Sequence, residues 1–198
     1  MSVKIDFSQQ ISGVILAGGL ATRMQGQDKG LVLFRGKALI EYVLAIFSPL
    51  NSVLINQNRS AQEYARFNKP LIRDVQPQGV EEFAGPLQGI LSGLMAAKTP
   101  WVIFSACDTP FLPQDYVQQM CAAVQENTLA CVARDDSGLQ PLHVLLHVDL
   151  ITPLTAFLQG GGRKTQQFLR DVHAREVIFP GQDFFINLNS AQDMQQHS

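Results

Sequence analysis

The sequence predicts an α/β fold, with a mostly parallel central sheet and helices on both of its faces. Short runs rich in β-branched and aromatic residues alternate with longer segments whose apolar residues recur at helical spacing. This alternation supplies the crossover connections that consecutive parallel strands need. Ligands of such sheets bind at the carboxyl ends of the strands, and the site is expected there.

The first half of the chain alternates regularly. Residues 14–17, 52–55, 71–73 and 101–105 are predicted strands because each is a short, mainly apolar run. Two segments between them are predicted helices because their apolar residues recur every three or four positions. The apolar positions are Leu39, Ile40, Val43, Leu44 and Phe47 in the helix over 39–47, and Leu87, Ile90, Leu91, Leu94 and Met95 in the helix over 87–97.

The second half of the chain is less regular. We predict a helix over residues 117–124 and a strand over 130–134, while the run LHVLLHVDL, residues 142–150, could form another strand. Residues 151–158 and 165–172 are predicted helices. Because no repeat, low-complexity tract or linker divides the sequence, residues 1–198 are expected to form a single domain.

Composition and charge exclude several classes of protein. The chain has 198 residues, of which 46% are hydrophobic and 16% charged, enough for one sizeable core. A net charge of −2 without a basic run argues against binding to nucleic acid or to an anionic membrane. With no signal segment, no long apolar stretch and three scattered cysteines, the sequence predicts a cytoplasmic protein with free thiols.

The loop after the first strand carries groups that suit a phosphate. In LAGGLATRMQGQDKG, residues 16–30, Gly18 and Gly19 follow the strand and can expose backbone N–H groups. Arg23 offers a planar fork and Lys29 a mobile positive charge, which together could neutralise a triphosphate. For the glycine pair alone, a solvated surface turn is an equally good interpretation.

Other phosphate-binding motifs do not fit the sequence. Gly36-Lys37 is followed by Ala38 rather than by Ser or Thr, and no glycine stands five residues before Gly36, so there is no Walker loop. The G-x-G-x-x-G fingerprint of dinucleotide-binding proteins is also missing from the opening loop.

A carboxylate follows the apolar strand in WVIFSACDTPF, residues 101–111. Asp108 is placed to hold Mg²⁺ at the ligand edge of the sheet, with nucleotide phosphates completing the coordination. The alternative is a turn or helix cap, since Thr109 and Pro110 follow. Cys107 is more consistent with a small buried side chain than with a nucleophile, because no histidine base is matched to it.

Together these motifs resemble nucleotidyltransferases with the pattern LAGG-x-x-x-R-M-G-x-x-K, and among them the molybdenum cofactor guanylyltransferase family. The resemblance continues nearly to the end of the chain. One departure is Gln25, which stands where the family usually has glycine. The further matching positions are Asn56 in VLINQNR, Asp74 in LIRDV, residues 85–89 (GPLQG), residues 107–110 (CDTP) and residues 187–189 (NLN).

The resemblance implies a three-layer Rossmann-like fold that transfers GMP from GTP to molybdenum-molybdopterin. It implies catalysis by Arg23, Lys29 and Asp108, with Mg²⁺ held by Asp108. Nucleotide contacts are implied for Leu16, Ala17, Gly18, Gly19, Lys29, Asn56, Asp74, Gly85 and Asp108, mainly in the N-terminal half. Contacts to the molybdopterin substrate are implied, mainly in the C-terminal half, for Gln140, Pro141, Gly161, Arg163, Lys164, Asn187 and Asn189.

Several alternatives remain open from the sequence. The same loop serves transferases that use CTP or sugar phosphates, and a non-catalytic nucleotide sensor could share the binding groups. Keeping both Lys29 and Asp108 favours an enzyme, since a sensor has no transition-state charge to balance. Zinc binding by His143 and His147 is disfavoured because no third ligand stands at a useful spacing. We expect a monomer with transient contacts to proteins that deliver or receive the cofactor.

Overall fold

The computed structural model describes residues 7–18, 28–80, 85–181, 183–189 and 191–197. Within these residues the strands are β1 (Ile11–Leu16), β2 (Leu33–Phe34), β3 (Lys37–Ala38), β4 (Ser52–Asn56), β5 (Leu71–Ile72), β6 (Trp101–Ala106), β7 (Ala130–Asp135), β8 (Gly138–His147) and β9 (Arg175–Ile178). The helices are α1 (Phe7–Gln10), α2 (Leu39–Ile46), α3 (Ala61–Ala65), α4 (Pro86–Ala96), α5 (Tyr116–Ala122), α6 (Ile151–Gln159), α7 (Thr165–Asp171) and α8 (Ala191–Gln196).

Seven strands of the described chain form one sheet in the order β5-β4-β1-β6-β8-β7-β9. Every neighbouring pair is parallel except the two that involve β8, which runs antiparallel to both β6 and β7. The short strands β2 and β3 pair separately as a hairpin. The predicted α/β fold with a mostly parallel sheet is therefore confirmed.

Helices cover both faces of the sheet. Along β1, side chains alternate, so that Ile15 joins the core beneath α2 and α5 while Val14 joins the core beneath α4, α6 and α7. Both residues are fully buried. Two separate apolar layers result, and the carboxyl ends of the central strands remain between them as the open edge.

The segment after β9 returns across the sheet to the end of β6. Phe179 and Phe185 pack their rings together and against Tyr116 of α5. The backbone N–H of Leu188 then donates to the carbonyl oxygen of Asp108 at 3.0 Å, and the Leu188 side chain is buried against Phe34. Residues 187–189 are thereby placed beside the turn that follows β6.

Most predicted elements agree with the structure to within three residues at each end. The first strand begins at Ile11 rather than at Val14, and Ala17 lies just beyond it, where its N–H donates to the Asn56 carbonyl at 2.8 Å. Of the run at 142–150, residues 142–147 form a strand as part of β8, whereas Val148–Leu150 form a short 3-10 helix. The hairpin β2–β3, helices α1, α3 and α8, and strand β9 were not predicted.

Candidate active site

A cleft of about 360 Å³ opens where β1, β4 and β6 end. Its walls come from the loops after these strands, from the amino end of α4 and from β8. The lining residues are Leu16, Ala17, Gly18, Asp28, Lys29, Asn56, Asp74, Gly85, Pro86, Gly89, Ala106, Cys107, Asp108 and Leu142. This is the edge at which parallel sheets bind their ligands.

Two glycines let the backbone approach closely beside Asn56 in the cleft. A Cβ on Gly18 would lie 2.9 Å from Nδ2 of Asn58 and 3.2 Å from Oδ1 of Asn56. A Cβ on Gly89, in α4, would lie 2.7 Å from the same Asn56 oxygen. Neither position has room for a side chain unless the amides move, so both glycines are required by packing rather than by φ.

Lys29 and Asp108 meet in the cleft. The Lys29 ammonium lies 3.3 Å from Oδ2 of Asp108 and also donates to Oδ1 of Asn189. Burial raises the pKa of the Asp108 carboxyl above its usual range, and the Lys29 charge opposes that shift. A carboxylate oxygen of Asp108 and an amide oxygen of Asn189 therefore both contact the Lys29 ammonium group.

Tyr64 anchors the segment that carries Lys29. The buried Tyr64 hydroxyl donates to Oδ1 of Asp28, directly before Lys29. On the other side of Lys29, a Cβ on Gly30 would lie 2.6 Å from the Tyr64 hydroxyl and 3.2 Å from Sγ of Cys107. The segment 28–30 therefore fits closely against α3 and the end of β6.

Two polar side chains, on the loops after β4 and β5, also line the cleft. Nδ2 of Asn56, at the end of β4, donates to Oδ1 of Asp74 at 3.0 Å. Asp74 follows β5, and its Oδ2 accepts a hydrogen bond from Nδ2 of Asn58. A carboxylate is acceptor-only when ionised and an amide both donates and accepts, which is the combination that can recognise a purine edge.

Helix α4 points its amino end into the cleft. Gly85 precedes it with φ of 80° and ψ of −162°, a conformation open to glycine and strained for other residues. Pro86 occupies the first turn, where its missing N–H leaves no helical hydrogen bond unmade. The positive end of the dipole of α4 favours an anion at this turn.

The turn containing Asp108 rests on a buried polar network. Thr109 donates to the Ala106 carbonyl at 2.9 Å, and Ser105 lies 3.4 Å from Thr109 and 3.3 Å from Nδ1 of His143. Burial lowers the pKa of His143 to about 3, so that the ring is neutral near pH 7. The network supports the turn, and its buried members have no access to a ligand.

The cysteine and histidine alternatives find no support in the geometry. Burial raises the pKa of the Cys107 thiol well above its usual value, with Asp108 and Asp28 adding to the shift, so the thiolate nucleophile is not populated. His143 is buried among aromatic rings, whereas the His147 ring packs on Trp101. Among the described residues no group of three or more His, Cys, Asp or Glu side chains could hold a metal.

The structure brings eight of the predicted nucleotide residues together in the cleft: Leu16, Ala17, Gly18, Lys29, Asn56, Asp74, Gly85 and Asp108. Gly19 and Arg23 lie outside the described residues. Asp28 and Leu142 in the cleft and Asn58 beside it were not predicted as site residues, and Gly89 was indicated only as part of the matching run 85–89. Asp28 could have been predicted from the motif Asp28-Lys29-Gly30. Leu142 lies where the pairing of β8 with β7 is irregular, and no sequence pattern predicts that irregularity.

The residues predicted for the second substrate are spread over three places. Asn189 reaches Lys29, and its own amide donates to the Asn187 carbonyl at 3.2 Å. Gln140 and Pro141 lie on β8, with the Gln140 amide on Asp135. Gly161, Arg163 and Lys164 form the turn between α6 and α7, where the Arg163 guanidinium donates to the carbonyls of Leu158 and Gly162.

Comparison with known proteins gives consistent matches over nearly the whole chain. Residues 13–176 match the family model described as the MobA-like NTP transferase domain. The chain is 42% identical over 185 residues to a molybdenum cofactor guanylyltransferase of Yersinia pseudotuberculosis and to one of Yersinia pestis, covering 92% of each chain. The resemblance inferred from the motifs is confirmed.

Solved structures share the fold at lower identity. Molybdopterin-guanine dinucleotide biosynthesis protein A from Archaeoglobus fulgidus superposes with a TM-score of 0.72 at 23% identity, over 93% of this chain and 95% of that one. The 4-diphosphocytidyl-2C-methyl-D-erythritol synthase of Anaerococcus prevotii superposes with a TM-score of 0.69 at 12% identity, over 95% and 94%. No helix among the described residues is long and apolar enough to span a membrane.

Proposed function

Because the chain belongs to the MobA-like NTP transferase family, we propose that it transfers GMP from GTP to the terminal phosphate of molybdenum-molybdopterin. The products would be the guanine dinucleotide cofactor and pyrophosphate. The observation that carries the proposal is the meeting of Lys29 and Asp108, 3.3 Å apart, in a cleft that also contains Gly18 and Asp74.

The phosphate-binding part of the proposal uses backbone and cations together. The N–H groups at Gly18 and Gly19 and the side chains of Lys29 and Arg23 would contact the triphosphate. Lys29 is supported by its position in the cleft, whereas Gly19 and Arg23 rest on the motif. The amino end of α4 faces the same space and adds a favourable dipole for the anion.

The oxygen ligands present in the cleft fit a divalent cation. Asp108 Oδ2 and Asn189 Oδ1 already share the Lys29 ammonium, so that a hard cation which prefers oxygen would find two donors in place. Mg²⁺ held by Asp108 would neutralise and orient the triphosphate. Lys29 would then be free to turn from Asp108 to the phosphates.

The residues of this chain would act by positioning and charge stabilisation. An oxygen of the acceptor phosphate attacks the α-phosphorus, a new P–O bond forms, and the α–β bridging bond breaks with its electron pair leaving on pyrophosphate. No enzyme nucleophile is required, in agreement with a Cys107 side chain that stays a thiol. Lys29 offsets the charge that accumulates on the phosphates in the transition state.

The two substrates would lie side by side along the edge of the sheet. Asp74 and Asn56 would contact guanine at the β5–β4 end. Gln140 and Pro141 on β8 and Asn187 and Asn189 would contact the molybdopterin side, and Gly161, Arg163 and Lys164 would meet its phosphate. The sheet order supports this assignment, because β8 lies beyond β6 on the side away from β4. The N-terminal half of a single domain would therefore serve mainly the nucleotide.

Pyrophosphate release tests the proposal directly. The purified protein is mixed with molybdenum cofactor, Mg²⁺ and either GTP, CTP, ATP or UTP. We expect rapid pyrophosphate release with GTP and none with the other three nucleotides. Pyrophosphate release with CTP instead of GTP would show that the protein is a cytidylyltransferase. GTP binding without release in the presence of active cofactor would support a sensor. The protein is expected to act in the cytoplasm as a monomer with transient protein contacts.

A further inference from the structure

Within the described parts of the chain, the Asn58 side chain makes three hydrogen bonds, all to residues of other loops. Its Nδ2 donates to Oδ2 of Asp74 at 2.7 Å and to the Gly18 carbonyl at 3.3 Å, while its Oδ1 accepts from the Asp74 backbone N–H at 3.0 Å. Asparagine commonly serves as a turn former through contacts to its own neighbours. Here every partner lies at least 16 residues away in the sequence, so the side chain joins separate loops.

The carboxylate of Asp74 is consequently fixed at both oxygens. Asn58 donates to Oδ2 and Asn56 donates to Oδ1. The χ2 torsion of an aspartate is broad and has no sharp minimum, so the plane of the carboxylate must be set by its partners. An ionised carboxylate has about four lone-pair sites, and two amide donors leave two of them for a ligand.

The backbone of the same segment is held independently. The N–H of Val75 donates to Oγ of Ser92 at 2.8 Å, and Nε2 of Gln88 donates to the Val75 carbonyl at 2.9 Å. Both side chains belong to α4. Ser92 therefore contributes to the path of the main chain, and the orientation of the Asp74 carboxylate depends on the two asparagines.

We propose that Asn58 is a positioning residue for base selection, which holds the Asp74 carboxylate in the plane that matches two parallel donors on a purine. Guanine presents such a pair in its N1–H and 2-amino groups. This inference rests on the proposed function, in which Asp74 contacts guanine. Asn58 is not among the residues that line the cleft, so it would act through Asp74. Its hydrogen bond to the Gly18 carbonyl also fixes the position of Asp74 relative to the loop after β1, which would bind the phosphates.

Nucleotide binding, rather than turnover, tests this inference. Isothermal titration with Mg²⁺ compares GTP with ITP, which differs by the absence of the 2-amino group, in the whole protein and in Asn58→Ala. The wild-type protein is expected to bind GTP about 10-fold or more tightly than ITP, since a hydrogen bond to a charged group is lost. In Asn58→Ala the GTP affinity falls by about 10-fold and the preference over ITP falls toward unity.

Ser92→Ala is the matched control, because it removes one hydrogen bond from the same segment without touching the carboxylate. It should keep the wild-type ratio of GTP to ITP affinity. Asn58→Ser keeps a small polar side chain and provides a second variant if alanine prevents folding; the ratio should fall there too.

Three outcomes overturn the inference. An unchanged ratio in a folded Asn58 variant shows that Asn58 does not orient the carboxylate, and an equal loss in Ser92→Ala shows that any disturbance of the segment has the same effect. A wild-type protein that does not distinguish GTP from ITP removes the Asp74 base contact as well. Only that last result also counts against the proposed function.

Discussion

At the scale of single residues, the Lys29 ammonium group contacts two residues that are distant in the sequence. Lys29 contacts Asp108, 79 residues away, and Asn189, 160 residues away. The Lys29 side chain is 31% exposed and that of Asp108 11%, so the ion pair is only partly screened by water. The same charge that offsets the buried carboxylate is therefore placed to serve the nucleotide phosphates.

Replacing Lys29 tests that role. We expect Lys29→Met to lower kcat/KM for GMP transfer by about 100-fold or more, because a cation that acts in the transition state is lost. The free energy of unfolding should change by no more than about 2 kcal/mol, as the pair is partly exposed. Lys37→Met, at an exposed lysine of β3, is the control and should retain full activity. Similar kcat/KM values in the two variants would show that Lys29 does not take part in GMP transfer.

Tyr64 and Tyr116 offer a matched pair of hydroxyl groups. Both side chains are fully buried and each donates one hydrogen bond, Tyr64 to Asp28 and Tyr116 to the Phe104 carbonyl. Tyr64→Phe should slow transfer by about 10-fold because the segment that presents Lys29 loses an anchor. Tyr116→Phe should keep its activity while unfolding about 1–3 kcal/mol more easily. Steady-state kinetics and urea unfolding distinguish the two effects, and equal kinetics would contradict this account.

At the scale of the element, helix α4 shows how one face serves both core and cleft. Gly89 and Gly93 lie one turn apart, and an added Cβ would meet different neighbours. At Gly89 it would lie 2.7 Å from Asn56 Oδ1, whereas at Gly93 it would lie 2.6 Å from the Phe104 ring. The close approach of this helix to the sheet therefore depends on both glycines, for separate reasons.

The two alanine variants are expected to separate binding from stability. Gly93→Ala should destabilise the protein by about 1–3 kcal/mol through overpacking, less the ~1 kcal/mol that alanine returns in helix propensity. Gly89→Ala should weaken GTP binding by about 10-fold, because the Asn56 amide must move. Calorimetric titration and urea unfolding measure the two effects. A larger loss of GTP affinity in Gly93→Ala than in Gly89→Ala would contradict this assignment.

Elements with a clear apolar period or a distinct apolar run were predictable, whereas most of the very short or exposed elements were not. Helix α2 was predicted over 39–47 and runs over Leu39–Ile46, because its buried face repeats every three or four residues. Strand β9 shows no such pattern, since among its four residues Val177 alone is buried. The two-residue strands β2 and β3 each pair one exposed with one buried residue and show no period, whereas β5, which is equally short, was predicted from its apolar run.

At the scale of the whole molecule, the buried histidine makes stability depend on pH. His143 has a pKa of about 3 in the folded chain against an ordinary value of 6.5, and burial is the largest cause, with Asp135 opposing it. Between pH 6.5 and about 3, His143 is therefore protonated in the unfolded chain but not in the folded chain. The stabilisation is fully present above pH 6.5 and is lost as the pH falls toward 3, by up to about 5 kcal/mol.

Urea unfolding across pH 4–8 checks this linkage against His143→Gln, which cannot titrate. The unfolding free energy of the wild-type protein should fall more steeply below pH 6.5 than that of the variant, and the gap between them should narrow. Parallel curves would mean that His143 is not held neutral. The difference between the two proteins is the useful quantity, because Asp28 and Asp108, whose pKa values are raised by burial, contribute equally to both.

The site was only partly accessible from the sequence for a topological reason. Parallel strands β1, β4 and β6 bring Gly18, Asn56 and Asp108 to one edge, and the alternation of elements predicts that much. The meeting of Asn189 with Lys29 depends on the return of the segment after β9, which no local pattern encodes. The pairing of Asn58 with Asp74 depends on the register of β4 against β5.

The central claim is that GTP lies along the carboxyl edge of the sheet, with its triphosphate between Lys29 and a cation on Asp108. A crystal structure with α,β-methylene GTP and Mn²⁺ tests it most directly. We expect the anomalous signal of the metal within about 2.5 Å of an Asp108 oxygen, phosphates against Lys29 and the Gly18 N–H, and guanine on Asp74. A nucleotide bound outside this cleft, or a metal with no contact to Asp108, would contradict the account.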